Sequence, residues 1–246
     1  MKKLEESPIV LKHQPCDSCG SSDAKCYRED GTSFCFSCNT NFKSTDIKLE
    51  DIEVNTYDSY ATQIGLSEIA TFSSYQLSSR GISKETVDHY NVKMSVDVDG
   101  RPEAHYYPFT SNGQIVAYKV RTLPKQFSTV GDFKNLELFG QSKCTGGKIL
   151  VITEGELDAM AISEAYFQKY RRFYSVVSIP NGANSIKSIV NNLDFVRGFK
   201  EVVIAFDMDK PGQEAAAEAA KMVGIGKAKI AKFQEKDACD ELREHG

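Results

Sequence analysis

The stretch Lys148-Ile149-Leu150-Val151-Ile152-Thr153 is a nearly unbroken apolar run that gives way to Glu154-Gly155-Glu156-Leu157-Asp158. Such a run suits a strand buried on both faces, the habit of a parallel sheet. Residues 174–179, 201–206 and, more weakly, 227–233 repeat the pattern. Helical spacing fills the gaps between them. Leu157, Met160, Ala161 and Ala165 share one face. Asn184 is placed to cap a helix with Ile186, Ile189, Val190 and Leu193 on its face. Pro211 stands near the start of a third helix, with Ala215, Ala216, Ala219, Met222 and Val223 on its face. Strands alternating with helices predict βαβ units and a mainly parallel α/β sheet.

Open sheets of this class bind ligands at the carboxyl ends of their strands. Two acidic clusters fall there: Glu154, Glu156 and Asp158 after the first strand, and Asp207 and Asp209 after 201–206. A lone carboxylate at such a place most often caps the following helix. Two clusters converging on one edge repel each other and call for a cation. Hard carboxylate oxygens suit Mg²⁺, which keeps several waters and takes further ligands from substrate phosphates. Within the set, Glu156 reads as a plain surface residue, and Asp158, one helical turn beyond Glu154, is intermediate.

Residues 61–145 read as mixed α+β structure. Ser83 is a helix cap ahead of Glu85 and Thr86, with Val87 and Tyr90 as apolar positions. Asn112-Gly113 between two β-prone runs is a strong hairpin signal, and residues 126–130 read as a third strand. Strand alternation puts Lys119 and Arg121 on one face, with Lys125 close behind. Paired cations ahead of a metal centre suit a triphosphate, although solvated lysines are common. Cys144-Thr145-Gly146-Gly147-Lys148 lacks the upstream glycine of a phosphate loop, and no Walker A motif occurs in the chain. The turn Pro180-Asn181-Gly182-Ala183 lies at another strand end, either near nucleotide or simply reversing the chain.

The seven cysteines are uneven. Five lie in the first forty residues: Cys16 and Cys19, then Cys26, then Cys35 and Cys38. Two C-x2-C knuckles fifteen residues apart match a four-cysteine zinc site. Gly20 follows the first knuckle, where a left-handed backbone is often required. Four thiolates close the coordination shell, so the metal is read as structural. Cys26 has no partner at knuckle spacing and reads as a free thiol or a strand residue. Residues 39–59 turn polar and acidic, with Phe42, Ile47, Leu49, Ile52 and Val54 too sparse for a definite element. They read as a linker, or as a surface strand of the next domain. The division expected is a zinc ribbon at 1–42, a linker at 43–60, an α+β subdomain at 61–145 and a parallel α/β subdomain at 146–246.

Composition narrows the class. The 246 residues are 41% hydrophobic and 26% charged, with a net charge of −4, so nucleic acid would have to be met by local basic patches rather than by overall charge. No apolar run approaches the roughly 18 residues of a membrane span. The start, Met1 to Val10, lacks the apolar core of a signal peptide. A cytoplasmic setting with reduced thiols is the expectation.

Glu154 after one strand and Asp207-x-Asp209 after another resemble the Toprim signature. With the four-cysteine ribbon in front, the chain resembles a DnaG-type primase, and within that family the primase half of the bifunctional primase–helicases of short-tailed phages. The resemblance covers nearly the whole chain. It is carried also by Pro15-Cys16-Asp17-Ser18-Cys19-Gly20, Asp30-Gly31-Thr32-Ser33-Phe34-Cys35, Ser79-Arg80-Gly81-Ile82-Ser83, Phe206-Asp207-Met208-Asp209 and Lys236-Asp237-Ala238-Cys239-Asp240-Glu241. It implies de novo synthesis of short RNA primers on single-stranded DNA from ribonucleoside triphosphates. Glu154 would bind metal or act as general base toward the 3′-hydroxyl. Asp207 and Asp209 would bind one or two Mg²⁺, with support from Asp158 and Asp237. Lys119, Arg121 and Lys125 would hold nucleotide or template. One Zn²⁺ in the ribbon would support template reading, with Phe34 and Phe36 placed either to stack on bases or to pack under the metal, and hand-over of the primer to a replicative DNA polymerase. Thr32 stands where phage members carry histidine. With no helicase half in these residues, the chain reads as a fragment.

Two other readings use the same residues. A Toprim nuclease would employ the same carboxylates and Mg²⁺ for hydrolysis. A recombination mediator joins a zinc site to a Toprim fold without chemistry, but does not require the complete set Glu154, Asp207 and Asp209 found here.

Overall fold

The computed structural model describes residues 7, 9–14, 16–19, 24–43, 64–123, 125–180, 186–224 and 226–246. Gly20, the linker from 44 onward, Asn181-Gly182-Ala183 and the cap at Asn184 lie outside the described residues. The chain forms two compact units, Met1–Ser59 and Tyr60–Gly246.

The first unit is an antiparallel meander of four strands, β1 (Ile9–Gln14), β2 (Lys25–Arg28), β3 (Ser33–Cys35) and β4 (Thr40–Phe42), paired in chain order. The β2–β3 turn is pinned by the Asp30 carboxylate, which accepts from the Thr32 N–H at 2.9 Å and its hydroxyl at 2.7 Å. Cys26 is a buried residue of β2 opposite Phe34.

The second unit holds two four-stranded sheets. The short helix α1 (Leu66–Ile69) and helix α2 (Lys84–Tyr90) precede an antiparallel sheet of β5 (Lys93–Val96), β6 (Pro102–Ser111), β7 (Gln114–Thr122) and β8 (Gln126–Gly131). Ser83 caps α2, accepting from the Thr86 N–H. Asn112 and Gly113 turn β6 into β7 with φ of 50° and 74°, the left-handed pair a type I′ hairpin needs.

The rest alternates. Strands β9 (Ile149–Thr153), β10 (Val176–Ser178), β11 (Glu201–Ala205) and β12 (Ala228–Ile230) are all parallel, in the order β10-β9-β11-β12. Helix α3 (Glu156–Tyr170) follows β9. Helices α4 (Ile186–Asn191) and α5 (Leu193–Arg197) precede β11, α6 (Lys210–Val223) follows it, and α7 (Ala238–His245) ends the chain.

Strand alternation divides the apolar side chains between two cores. Leu150, Ile152, Val202 and Ile204 pack with Ile189, Val196, Ala216 and Ala219. Val151 and Ala205 face the other way, onto Ala159, Met160, Val87 and Tyr90, and join Tyr107, Phe109 and Ala117 of the antiparallel sheet. That shared core fixes the two sheets in one unit. Tyr106, Tyr118 and Val120, of opposite parity, form a third core with Ile69.

Several expectations need correction. The helix read through Leu193 breaks at Asn192, whose side-chain amide donates to the Leu136 carbonyl at 3.0 Å and the Ser188 carbonyl at 2.9 Å. A side chain that bonds backbone competes with helix continuation. Val190 and Met222 are exposed, at the margins of their helix stripes, and so is Ala165. Glu156 is not a surface residue but is buried. Helix α7 has no counterpart among the expected elements; its cap, Asp237, accepts from the Asp240 N–H at 2.8 Å.

Candidate functional site

The parallel sheet is wound so that β10 lies on one side of β9 and β11 on the other. The chain therefore reverses its order of travel between β9 and β11, and a crevice opens beyond their carboxyl ends. Register sets Thr153 opposite Ala205, so the residues just beyond, Glu154 and Asp207, leave adjacent strands side by side. A cleft of about 470 Å³ lies there, lined on its acidic side by Glu154, Asp158, Asp207, Asp237 and Asp240. Gly212 in the first turn of α6 lets the helix start close against Asp207: a Cβ on it would stand 2.5 Å from the Asp207 carbonyl oxygen.

Crowding shows in the acidities. The Asp207 carboxyl is raised to about 7, first by burial and then by the charges of Glu154 and Asp237, with Lys236 opposing. Asp158 is held well above the usual carboxylate range by burial and by Asp237 and Asp207, although the Cys239 N–H donates to it at 3.2 Å. Asp209 does not line the cleft wall, but its charge reaches Asp207. It is exposed and caps α6, one oxygen accepting the Gly212 N–H at 2.8 Å.

The opposite wall comes from the antiparallel sheet. Tyr107 pairs with Lys119, and Arg121 with Phe127 on the next strand, so all four side chains share the face turned toward the carboxylates. Lys119 is engaged: its ammonium donates to both Glu156 oxygens at 2.9 and 3.1 Å and to the Pro180 carbonyl at 3.1 Å. Glu156 is buried because Lys119 neutralises it, a partner from a strand 37 residues earlier that local sequence does not reveal. Arg121 lines the cleft, and its buried Nε finds no acceptor within the protein. Lys125 stands over the Phe127 ring at 5.7 Å.

Arg80, Tyr107, Phe127 and Lys236 also line this cleft, and sequence reasoning does not single them out. Arg80 and Lys236 lie within stretches that carry the family resemblance. Only the fold brings them within reach of Asp158 and Asp207.

The fit to a divalent metal rests on the donors. The cluster is all hard oxygen, and the repulsion that raises Asp207 and Asp158 is what a bound cation would relieve. These carboxylates form an open set. Among the described residues, the four cysteines are the only group of three or more with ligand atoms within 4.8 Å of one another.

In the ribbon unit, Cys16 and Cys38 sulfurs lie 3.9 Å apart and Cys19 and Cys35 sulfurs 3.7 Å apart. Four sulfurs placed tetrahedrally about an ion at about 2.3 Å stand about 3.8 Å apart. The knuckles have the geometry of a closed zinc site. Asn39, after the second knuckle, takes the left-handed φ of 52°. Burial pushes the Cys35 thiol up to about 12, which holds it protonated without a metal. Phe34 and Phe36 meet edge to face at 4.9 Å, and Phe36 is 56% exposed.

Comparison with known proteins finds relatives in sequence and in fold. Residues 151–242 match the Toprim-like family model. The chain is 32% identical over 95% of its length to a DNA helicase/primase of Enterobacteria phage T3, of which it spans 41%. It therefore covers about two fifths of that curated relative. The crystal structure of the primase fragment of the bacteriophage T7 primase-helicase protein superposes with a TM-score of 0.64 at 33% identity, covering 96% of this chain and 94% of that one. A second structure, of the bacteriophage T7 lagging-strand DNA polymerase interacting with primase domains bound to an RNA/DNA hybrid and dTTP, matches at 30% identity and a TM-score of 0.58, covering 94% of this chain and 90% of that one. Among the described residues, no helix is long and apolar enough to cross a membrane.

Proposed function

The chain belongs to the family of phage primase–helicase primase domains, and on that premise we propose that it is a DNA primase, a nucleotidyltransferase that makes short RNA primers on single-stranded DNA. One observation carries the reading. Glu154 and Asp207 leave neighbouring parallel strands into a cleft whose facing wall presents Arg121 and Lys125. Nucleotide addition needs both surfaces: oxygens for metal on one side and cations for a triphosphate on the other.

Glu154, Asp207, Asp158 and Asp237 would hold one or two Mg²⁺ ions, with Asp209 contributing through the oxygen not used as a cap. Bound there, Mg²⁺ supplies Lewis-acid stabilisation of charge on the phosphoryl oxygens. Arg121, with an unsatisfied buried donor, orients phosphate. Lys125 extends the basic wall. Lys119 positions: its ion pair with Glu156 ties β7 to the first turn of α3 and holds the two walls of the cleft at a fixed separation. Glu154 receives the proton of the attacking 3′-hydroxyl. The ribbon, held by one structural Zn²⁺, reads template bases with its exposed Phe36, since bases in a single strand offer stacking faces. The partners of this reading are the DNA template, ribonucleoside triphosphates, a replicative polymerase and a helicase module, in the cytoplasm of a phage-infected bacterium.

The test is synthesis. The protein is mixed with random-sequence single-stranded DNA, Mg²⁺ and four labelled ribonucleotides, and the products are resolved on a gel. Discrete short RNA is expected. Shortened DNA without RNA would replace the reading with a nuclease, and bound DNA with neither product would replace it with a binding module.

A further inference from the structure

The two edges of the parallel sheet carry opposite charge. The carboxylates gather beyond the strands' carboxyl ends. At the amino ends stand Lys148 before β9, Arg171 and Arg172 before β10, Lys200 before β11 and Lys227 before β12. The strands are parallel and paired, so these cations follow one edge of the sheet, with Glu201 among them paired to Lys229 at 2.7 Å. The edge ends in an aromatic group. Tyr170 and Tyr174 are 52% and 41% exposed, 5.9 Å apart, with Lys169 at 5.4 Å over the first ring and Arg172 at 5.2 Å over the second. Residues 165–175 hold three cations and no acid, in a chain of net charge −4.

The carboxyl end of a helix attracts cations, which accounts for Lys169 in the last turn of α3 and favours the charge of Arg171. It does not account for arginine at the backbone conformation of residue 171. That residue closes the helix with a left-handed φ of 52°. Of the five non-glycine residues with positive φ among those described, four are asparagines, and Arg171 is the exception. Arginine is a poor choice for that backbone, which asparagine adopts more readily. Its guanidinium lies 5.8 Å over Phe167, which stacks on Phe173 at 4.7 Å, which stacks on His89 at 4.0 Å. The charge is thus mounted on a rigid ladder of rings.

We propose that this amino edge is a second binding surface for single-stranded DNA, separate from the catalytic cleft, with Tyr170 and Tyr174 as stacking platforms and Lys169, Arg171 and Arg172 as phosphate contacts. Interleaved exposed rings and cations are the elements of sequence-tolerant single-strand binding; Glu241 of α7, which borders Lys169 and Tyr170, is held by the Gln234 and Glu235 N–H groups at 2.8 and 3.0 Å. The proposal rests on the reading of the chain as a protein that works on single-stranded DNA. It gives the template a hold on the side of the sheet remote from the chemistry.

The test uses the full chain and a labelled oligothymidylate of about 20 nucleotides, read by fluorescence anisotropy across a salt series, with RNA synthesis at saturating template measured separately. The Lys169→Ala/Arg171→Asn/Arg172→Ala variant is expected to bind about tenfold more weakly, with a log K against log salt slope shallower by about 2. Tyr170→Ala/Tyr174→Ala is expected to lose about tenfold with the slope unchanged. Arg171→Asn alone removes the unfavourable backbone choice, so its melting temperature holds or rises while affinity falls, which separates binding from folding. Synthesis at saturating template stays at the parent level in all three. Unchanged affinity and slope in the triple variant, or a parent that fails to bind the oligonucleotide, would overturn the proposal and leave the primase reading standing. Absent synthesis by a parent whose edge still binds DNA would overturn the primase reading and leave the edge.

Discussion

The ribbon and the α/β unit both fix reactive side chains in space, by opposite means. In the ribbon few of the described apolar side chains are buried, and among them are Cys16, Cys26 and Cys35; there four clustered thiols, arranged as for one metal ion, stand where a core would. In the large unit three apolar cores hold the backbone, and that backbone forces carboxylates together against their repulsion. A metal bound in the first region would contribute folding free energy. In the second, the site is assembled first, at an electrostatic cost.

The contrast breaks first at the ribbon. Cys35→Ser is expected to abolish zinc retention, removing on the order of 10 kcal/mol of metal-coupled folding from the first unit, while the large unit keeps its melting transition. Zinc analysis and calorimetry on one sample check both halves; a lowered transition of the large unit would mean that the two do not fold separately. Template-directed initiation is lost in the same variant, whereas extension of a supplied dinucleotide survives.

Next comes the cleft. Asp207→Ala is expected to reduce nucleotide addition by about a thousandfold and leave zinc content and fold intact. Normal synthesis by that variant would remove Asp207 from the metal site.

The ion pair between the walls is third. Lys119→Met strands the Glu156 charge in a buried position and is expected to destabilise the large unit by about 3 kcal/mol. Adding Glu156→Gln should restore most of that loss in denaturant melts. If the double variant is no better than the single, the two side chains are not coupled.

The smallest effect is the one that most directly measures the strain of the assembled site. Burial and its neighbours raise the folded Asp207 carboxyl to about 7, above its value in the unfolded chain. Between the ordinary carboxylate range and about 7 the folded state therefore binds more protons. Without magnesium, stability is full below that range and falls as pH rises through about 7. Asp207→Asn is expected to stabilise the magnesium-free protein by about 1 kcal/mol at about pH 8, after allowance for solvent screening, and by nothing at about pH 4. Added Mg²⁺ should flatten the parent's pH slope and leave the variant's unchanged.

Much of this is legible in one dimension. The run 148–153 announces a strand buried on both sides, and its neighbours give a parallel sheet, because side-chain alternation and helix spacing are local properties. The C-x2-C pairs announce their metal for the same reason: a knuckle is a few residues long. Strand period alone places Lys119 and Arg121 on one face. Glu156 misleads because what buries it is Lys119, on another sheet. Asp209 groups with Asp207 by proximity in sequence, but a helix begins just beyond them and turns Asp209 into its cap. Arg80 and Lys236 carry no local mark of their position.

The sequence by itself determined most of the elements, the knuckle spacing of the four cysteines and the family, since each depends on spacing within a few residues or on motifs in a fixed order. Only the tertiary structure decided which carboxylates line the cleft, which cation is neutralised there, and that acids gather at one edge of the sheet and most of its cations at the other. Those are questions of which distant residues share a low-dielectric space, and charge interactions are set by that distance and burial rather than by separation along the chain.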